Sequence, residues 1–487
     1  MTDTLYSASE SGIYGKRLRM IQDLHENTEI SMLGDKNKLR KRIIENSTGQ
    51  GTNWAPEGCS STIAMSTEKA IKAVNNEIKI NGKNRGCIIF VDDTLRMATD
   101  TKMARDGGIV FTESLNTLSL EAHPDKSRIV VMGSKQMREK VKQELEKDPV
   151  IVQGWEMKTS DIETYLGFQI DERGVRESIN KSIEGRIRGA RTKSIQLIKV
   201  LDDDKICKLG WLESTKLLFT SIIIPTLTYG SQAYTNMTKK QREMLETAMR
   251  ECLYRMLGIS KTSHYSSVLL ELNLIPVNNI IDQLKISFVN SLIHEKGNGV
   301  CLETLREEEN KYEHSMLKET SKLCEIYGLP NVVEYYIKKE TIKERVWSVA
   351  RKEIWKNAMK NRKIPYKNTT EKTKKNYWSM PRRKAKLLLS YYIGELNMKD
   401  YKRHEMRVRF GNTNCLAGCD KPDNLQHVMN CDRYLTKPEK FKLDGTDERL
   451  VEYLTELDKE RFKMYEFPLT YRLDRSQRAK RRGINQA

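Results

Sequence analysis

Apolar residues follow two rhythms along this chain. In its first third they come as short β-branched runs bounded by charge or turn residues, as in Cys87-Ile88-Ile89-Phe90-Val91 and Ile129-Val130-Val131. Runs of that length predict buried strands. From about residue 176 to 400 the spacing changes to three and four, over Glu213–Ile223, Lys239–Leu257 and Asn278–His294, which predicts helices. A further helix is predicted over Gly12–Leu24, where Ile13, Met20, Ile21 and Leu24 share a face. Arg242, Glu243 and Glu246 read as a solvated face, and Phe219, Tyr229, Tyr234 and Tyr254 as core aromatics. No repeat of about 20–50 residues is visible. The pattern predicts a mostly helical α+β protein.

The first apolar run ends in two adjacent carboxylates, Asp92 and Asp93. Two anions cannot sit unpaired in a dry core, so they face water in a turn, a basic partner or a cation. Hard divalent cations such as Mg²⁺ prefer oxygen ligands of this kind. Composition bears on the choice of partner. Lys plus Arg number 85 against 66 acidic residues, a formal charge of +19, which raises attraction to polyanions. The hydrophobic fraction is 38% and no apolar run approaches a membrane span, so nucleic acid is the expected partner and a membrane is not. Met1 is followed by polar, mixed-charge residues without a signal-peptide pattern. Nine Cys, mostly scattered singly, do not form a secreted disulfide framework. An intracellular place, nucleus or cytoplasm, is expected.

Four segments recur in a telling order. Phe90-Val91-Asp92-Asp93 is followed by the turn Pro124-Asp125-Lys126-Ser127 and its strand, by Tyr165-Leu166-Gly167, and by Pro225-Thr226-Leu227-Thr228-Tyr229-Gly230. In that order and spacing they resemble the reverse transcriptases of non-LTR (LINE-type) retrotransposons, over roughly residues 5 to 290. The resemblance implies a partial right-hand palm and a helical thumb. It makes Asp92 and Asp93 Mg²⁺ ligands, Lys126 the candidate to protonate leaving pyrophosphate, and Tyr165, Leu166 and Gly167 a primer grip. Ser47-Thr48-Gly49-Gln50-Gly51-Thr52 is similar to the motif that shapes the nucleotide pocket, placing Gly49, Gln50, Gly51 and Phe90 there. Ser47 stands where the family has Gly, and a Gly-rich surface turn would read the same way.

The family pattern breaks at the first motif, a strand carrying another essential Asp. Asp3, Asp23 and Asp35 are the only Asp residues before Asp92, and none ends an apolar strand. Two-metal nucleotidyl transfer needs cations about 3.5–4 Å apart. Asp92 and Asp93 supply too few anionic ligands for that, so a truncated polymerase with weak or no activity alone is expected.

Two further constellations lie beyond the thumb. Between Arg362 and Lys386, basic residues crowd around Tyr366, Tyr377 and Trp378. Basic groups neutralise phosphates and aromatics stack on unpaired bases, so Trp378, Arg382, Arg383, Lys384 and Lys386 are candidate nucleic-acid contacts; a solvated linker is the alternative. Cys415, Cys419, His427 and Cys431 are spaced C-x₃-C-x₇-H-x₃-C. Three thiolates and an imidazole saturate a tetrahedral Zn²⁺ site, which supplies folding energy and leaves no open catalytic position. Gly418 permits the turn between the first two ligands. Arg407, Arg409 and Arg433 flank the knuckle and are candidate phosphate contacts.

The expected organisation is a partial palm and fingers over 1–175, thumb and connection over 176–290, a helical basic region over 291–404, the zinc knuckle over 405–440 and a basic tail over 441–487. The expected function is RNA-directed DNA synthesis, with an RNA template, a DNA primer or target, deoxynucleoside triphosphates, Mg²⁺ and Zn²⁺. The alternative is a catalytically dead RNA- or DNA-binding remnant with a structural zinc module.

Overall fold

The computed structural model describes residues 19, 29–33, 39–43, 78–80, 83–84, 86–90, 93–117, 120–202, 210–294, 299–360, 376–394, 396, 414–438 and 447–465. The chain divides into two compact units, Met1–Ser182 with Glu303–Glu307, and Ile183–Leu302 with Glu308–Ala487. The division falls inside a helix rather than at the expected residue 175. The protein is mixed α+β and mostly helical. Of the Gly12–Leu24 helix only Arg19 is described, and it is helical; the Gly49-Gln50-Gly51 segment lies outside the described residues.

Among the described residues the first unit carries twelve short strands: β1 Glu29–Leu33, β2 Leu39–Ile43, β3 Lys79–Ile80, β4 Lys83–Asn84, β5 Cys87–Phe90, β6 Asp93–Arg96, β7 Arg128–Ile129, β8 Ile151–Val152, β9 Trp155–Glu156, β10 Lys158–Thr159, β11 Ile162–Tyr165 and β12 Phe168–Asp171. They form six two-stranded pairs, of which only β7 with β10 is parallel. Among the described residues these pairs do not join into one sheet, so the continuous sheet of a palm is not seen.

Helices α1 (Thr101–Thr117) and α2 (Lys135–Lys147) cover the core of this unit. Leu115, Val131, Leu145, Val150 and Val152 are buried together there. Gly108 lets α1 approach β8 closely: a Cβ would meet Val150 Cγ1 at 2.8 Å and the Ile151 carbonyl at 3.0 Å. Ser134 caps α2 by accepting from the Met137 amide. Gln153, at φ +47°, fastens the loop before β7 to α1; its side chain accepts from the Ala122 amide and donates to Asn116 Oδ1 and the Leu120 carbonyl.

Helix α3 (Val175–Leu201) leads into the second unit, followed by α4 (Trp211–Leu218), a π turn (Phe219–Ile223) and α5 (Ile224–Thr228). Pro225 has no amide hydrogen, and the turn ahead of it widens so that the Ile224 amide reaches back to the Phe219 carbonyl. Next come α6 (Lys239–Leu257), α7 (Tyr265–Leu272), α8 (Val277–His294), α9 (Gly299–Lys311), α10 (Met316–Tyr327), α11 (Lys339–Ala358) and α12 (Arg382–Tyr392). The predicted Lys239–Leu257 helix has those bounds. It opens with a Thr238–Gln241 capping box and ends at Gly258 in the left-handed region, φ +63°. Its stripe of Leu245, Ala248, Met249, Cys252, Leu253 and Leu257 is buried.

Two readings of this region need correction. Arg242 and Glu246 are not a solvated face: Arg242 pairs with Asp282 at 2.9 Å, and Glu246 accepts from the Tyr265 hydroxyl at 2.6 Å and the Asn278 side-chain Nδ2 at 3.0 Å. Only Glu243 of the three is exposed. Tyr229 is not in the core either. It is 55% exposed with the Arg186 guanidinium 4.4 Å from its ring centre, whereas Phe219, Tyr234 and Tyr254 are buried.

The carboxy-terminal region is not simply a basic tail. Its residues Asp447–Tyr465 form a helix, α14, that packs on α12 and buries Val451, Leu454 and Leu457. A one-turn helix, α13 (Leu425–Met429), precedes it.

Candidate metal centre and acidic hairpin

Residues 414–438 have little regular secondary structure, and hydrogen bonds shape them. The Cys415 amide donates to the Lys421 carbonyl at 2.9 Å, and an antiparallel bridge joins Asn414 to Pro422. Gly418, at φ +82°, turns the chain between Cys415 and Cys419, and Arg433 donates to its carbonyl. A Cβ at Gly418 would come within 3.0 Å of that guanidinium. Asn424 accepts from the His427 amide at 2.9 Å, which starts α13 and aligns His427 with the cysteines.

The potential ligand atoms of Cys415, Cys419, His427 and Cys431 lie within 4.8 Å of one another. The Cys431 sulfur is 3.9 Å from that of Cys415 and 3.2 Å from that of Cys419. A tetrahedral ion with metal–sulfur bonds of about 2.3 Å would set sulfurs about 3.8 Å apart, so the set needs only small adjustment. His427 Nε2 is buried without a hydrogen-bond partner, as a nitrogen awaiting a metal would be.

The thiol electrostatics agree. Burial pushes Cys415 up to about 12, and the hydrogen bond with Cys431 raises Cys419. Burial also acts against the Cys431 thiolate, but hydrogen bonds from Cys419, Cys415 and the Arg433 and Tyr434 amides outweigh it and lower its value. Three thiolates this close repel one another, and a bound cation would offset that repulsion. This cluster can hold zinc.

The knuckle is joined to α14. Arg461 and Asp423, both fully buried, form a two-pronged ion pair, and Arg461 also donates to the Tyr434 hydroxyl at 3.0 Å. Glu460 accepts from the Leu435 and Thr436 amides. The sequence reading missed these residues. One signal was available: Arg461 continues the apolar stripe of Val451, Leu454 and Leu457, where a charge requires a buried partner.

In the first unit, β5 and β6 form an antiparallel hairpin with Phe90 opposite Asp93. Val91 and Asp92 lie outside the described residues. Asp93 and Phe90 are exposed. Tyr165-Leu166-Gly167 lies on the neighbouring hairpin of β11 and β12. Leu166 and Gly167, at φ +50° and +74°, make the tight turn, and Tyr165 pairs with Phe168. The Tyr165 hydroxyl approaches the Ile88 carbonyl at 3.5 Å; burial and then the charges of Asp93 and Cys87 raise its titration point.

Lys126 is exposed on the turn before β7, and no described hydrogen bond or ion pair links it to Asp93. Among the described residues, the Cys/His group is the one cluster of three or more potential metal ligands. The described residues therefore do not assemble a Mg²⁺ site.

The expected nucleic-acid contacts are only partly exposed. Trp378 is 3% exposed with the Lys216 ammonium 4.5 Å from its ring centre, so it is not a stacking platform for bases. Tyr377 is buried as well and donates to Glu271. Arg382 pairs with Asp202, and burial followed by the Arg382 charge lowers Lys386 to about 8. Arg383, 3.5 Å from Asp458, and Lys384 remain exposed. Arg433 is engaged with the Gly418 turn. The other basic residues of 362–375, with Arg407 and Arg409, lie outside the described residues.

No described helix is long and apolar enough to cross a membrane. Compared with known proteins, the chain matches no protein-family model and has no significant match among curated proteins.

Proposed function

We propose that this chain is a reverse-transcriptase-like protein of the non-LTR type that engages an RNA template and a DNA primer. The observation that supports the reading best is the neighbouring pair of hairpins: one carries Asp93 at its return, the other presents Tyr165 beside it. The ordered motifs from Phe90 to Gly230 and the helical second unit are in keeping with it. The Cys415–Cys431 module serves as a structural zinc site, because its four ligands leave no position for substrate.

The sequence offers no strand-borne Asp ahead of the hairpin, so the chain by itself binds a primed template without efficient extension. Purified protein is incubated with a primed RNA template, labelled deoxynucleotides and Mg²⁺. Binding with little extension is expected. Robust extension that disappears in Asp92→Ala would instead establish an active polymerase, with a ligand outside the hairpin. Failure to bind the primed template even at low salt would remove both forms of the reading.

A further inference from the structure

Helix α11 buries one side of itself through Ile342, Val346, Ala350, Ile354 and Ala358, a regular four-residue stripe. The opposite side carries Arg345, Lys352, Trp355 and Lys356, all exposed. Steps of three, four and seven residues bring these side chains onto one face. Trp355 is 50% exposed, although an indole on a solvated helix would ordinarily fold its rings against apolar neighbours. No described carboxylate pairs with Arg345, Lys352 or Lys356. Glu344 borders the face, and Glu353 lies one turn from Lys356 with no described ion pair between them.

We infer that this face binds a single strand of nucleic acid, with phosphates on Arg345, Lys352 and Lys356 and an unpaired base stacked on Trp355. Three features select that occupant. Among the described residues no carboxylate pairs with these cations, and the chain's formal charge of +19 favours a polyanion. An exposed aromatic among cations suits a ligand bearing both negative charge and flat apolar faces. A duplex hides its base faces, so it would use the cations and leave Trp355 unused. Neither stacking nor phosphate contact reads the sugar, so RNA and DNA strands should bind alike. None of these residues belongs to the polymerase reading, so the two ideas can fail separately.

The test is fluorescence anisotropy of the full chain with a labelled single-stranded RNA, the same sequence as DNA, and the duplex, across a salt series. Trp355→Ala should weaken single-strand binding on the order of tenfold with the salt slope kept, while Trp355→Phe retains most of the affinity. Lys352→Ala with Lys356→Ala should flatten the log–log slope by about 1.4, at about 0.7 per lost phosphate contact. Duplex binding should not respond to Trp355→Ala. Circular dichroism and an exposed Lys135→Ala control separate these effects from misfolding. Parent-like binding by both variants would overturn the inference. So would displacement by polyglutamate as effective as by oligonucleotide, with Trp355→Ala immaterial, which would assign the face to an acidic protein.

Discussion

Arg461 and Asp423 meet through both guanidinium arms, at 2.8 and 2.9 Å, with neither side chain exposed to solvent. The pair joins the metal knuckle to the final described helix. Removing one member leaves the other charged and buried, at a cost of about 3–5 kcal/mol. Arg461→Met should therefore lower the unfolding midpoint of the second unit markedly in urea. Arg461→Met combined with Asp423→Leu should recover part of the loss. A parent-like midpoint for the single variant would show that water or rearrangement satisfies Asp423.

Zinc should be found at one ion per chain by elemental analysis of protein prepared without chelator. Its removal should loosen residues 414–438 together with α14, read as faster amide exchange in both. His427→Ala should weaken retention of the ion, because it removes one of the four ligands. Zinc-free protein with unchanged exchange would mean that hydrogen bonds alone hold the knuckle.

Lys285 has a fully buried side chain and donates to the Tyr234 carbonyl at 2.6 Å and to Glu319 at 2.7 Å. Lys285→Met fits sterically but takes the donor from the Tyr234 carbonyl and the buried cation from Glu319, which keeps the Asn236 amide as a donor, so a loss of about 3–5 kcal/mol is expected in denaturant unfolding. Arg242, 3.9 Å from the same carboxylate, would keep the loss below that range if it moves inward.

Gly210 has φ +96°, and a Cβ there would overlap the backbone of Trp378 and Ser379. Gly210→Ala should destabilise the second unit by about 1–3 kcal/mol through backbone displacement. Gly185→Ala, which meets no atom within 4 Å, should be neutral or stabilising in the same thermal melts.

Lys386 gives a pH signature. Burial, then the Arg382 charge, lower its value from 10.5 to about 8. A depressed value in the folded state means its stability contribution is fully present above about 10.5 and is lost as pH falls through about 8. Relative to Lys386→Met, the wild type should gain stability as pH is raised from 7 to 10. A difference that stays flat over that range would place the ammonium in contact with water.

What the sequence made legible was local. The Lys239–Leu257 helix could be read from its apolar stripe, and the knuckle from ligand spacing, because in both cases the partners lie a few residues apart. Glu246 and Trp378 were misread for the opposite reason. The groups that enclose them, Tyr265 and Asn278 for one and Lys216 for the other, come from distant turns of chain. A run of neighbouring charges describes composition; burial depends on what arrives from elsewhere. Arg461 shows that even a long-range partner can leave a local trace when a charge interrupts an apolar stripe.

The docking of α14 against α12 also bears on the order of assembly. Residues 393 to 446 intervene between these helices, so their pairing closes a long loop and waits until α14 has been synthesised. The knuckle sits within that loop and can form earlier, since its ligands span only Cys415 to Cys431. Once closed around its ion, it shortens the loop that the pairing of α14 must close and presents Asp423 ready for Arg461. Metal supply during synthesis would then govern the rate at which the last layer of the helical unit is completed, as well as its final stability.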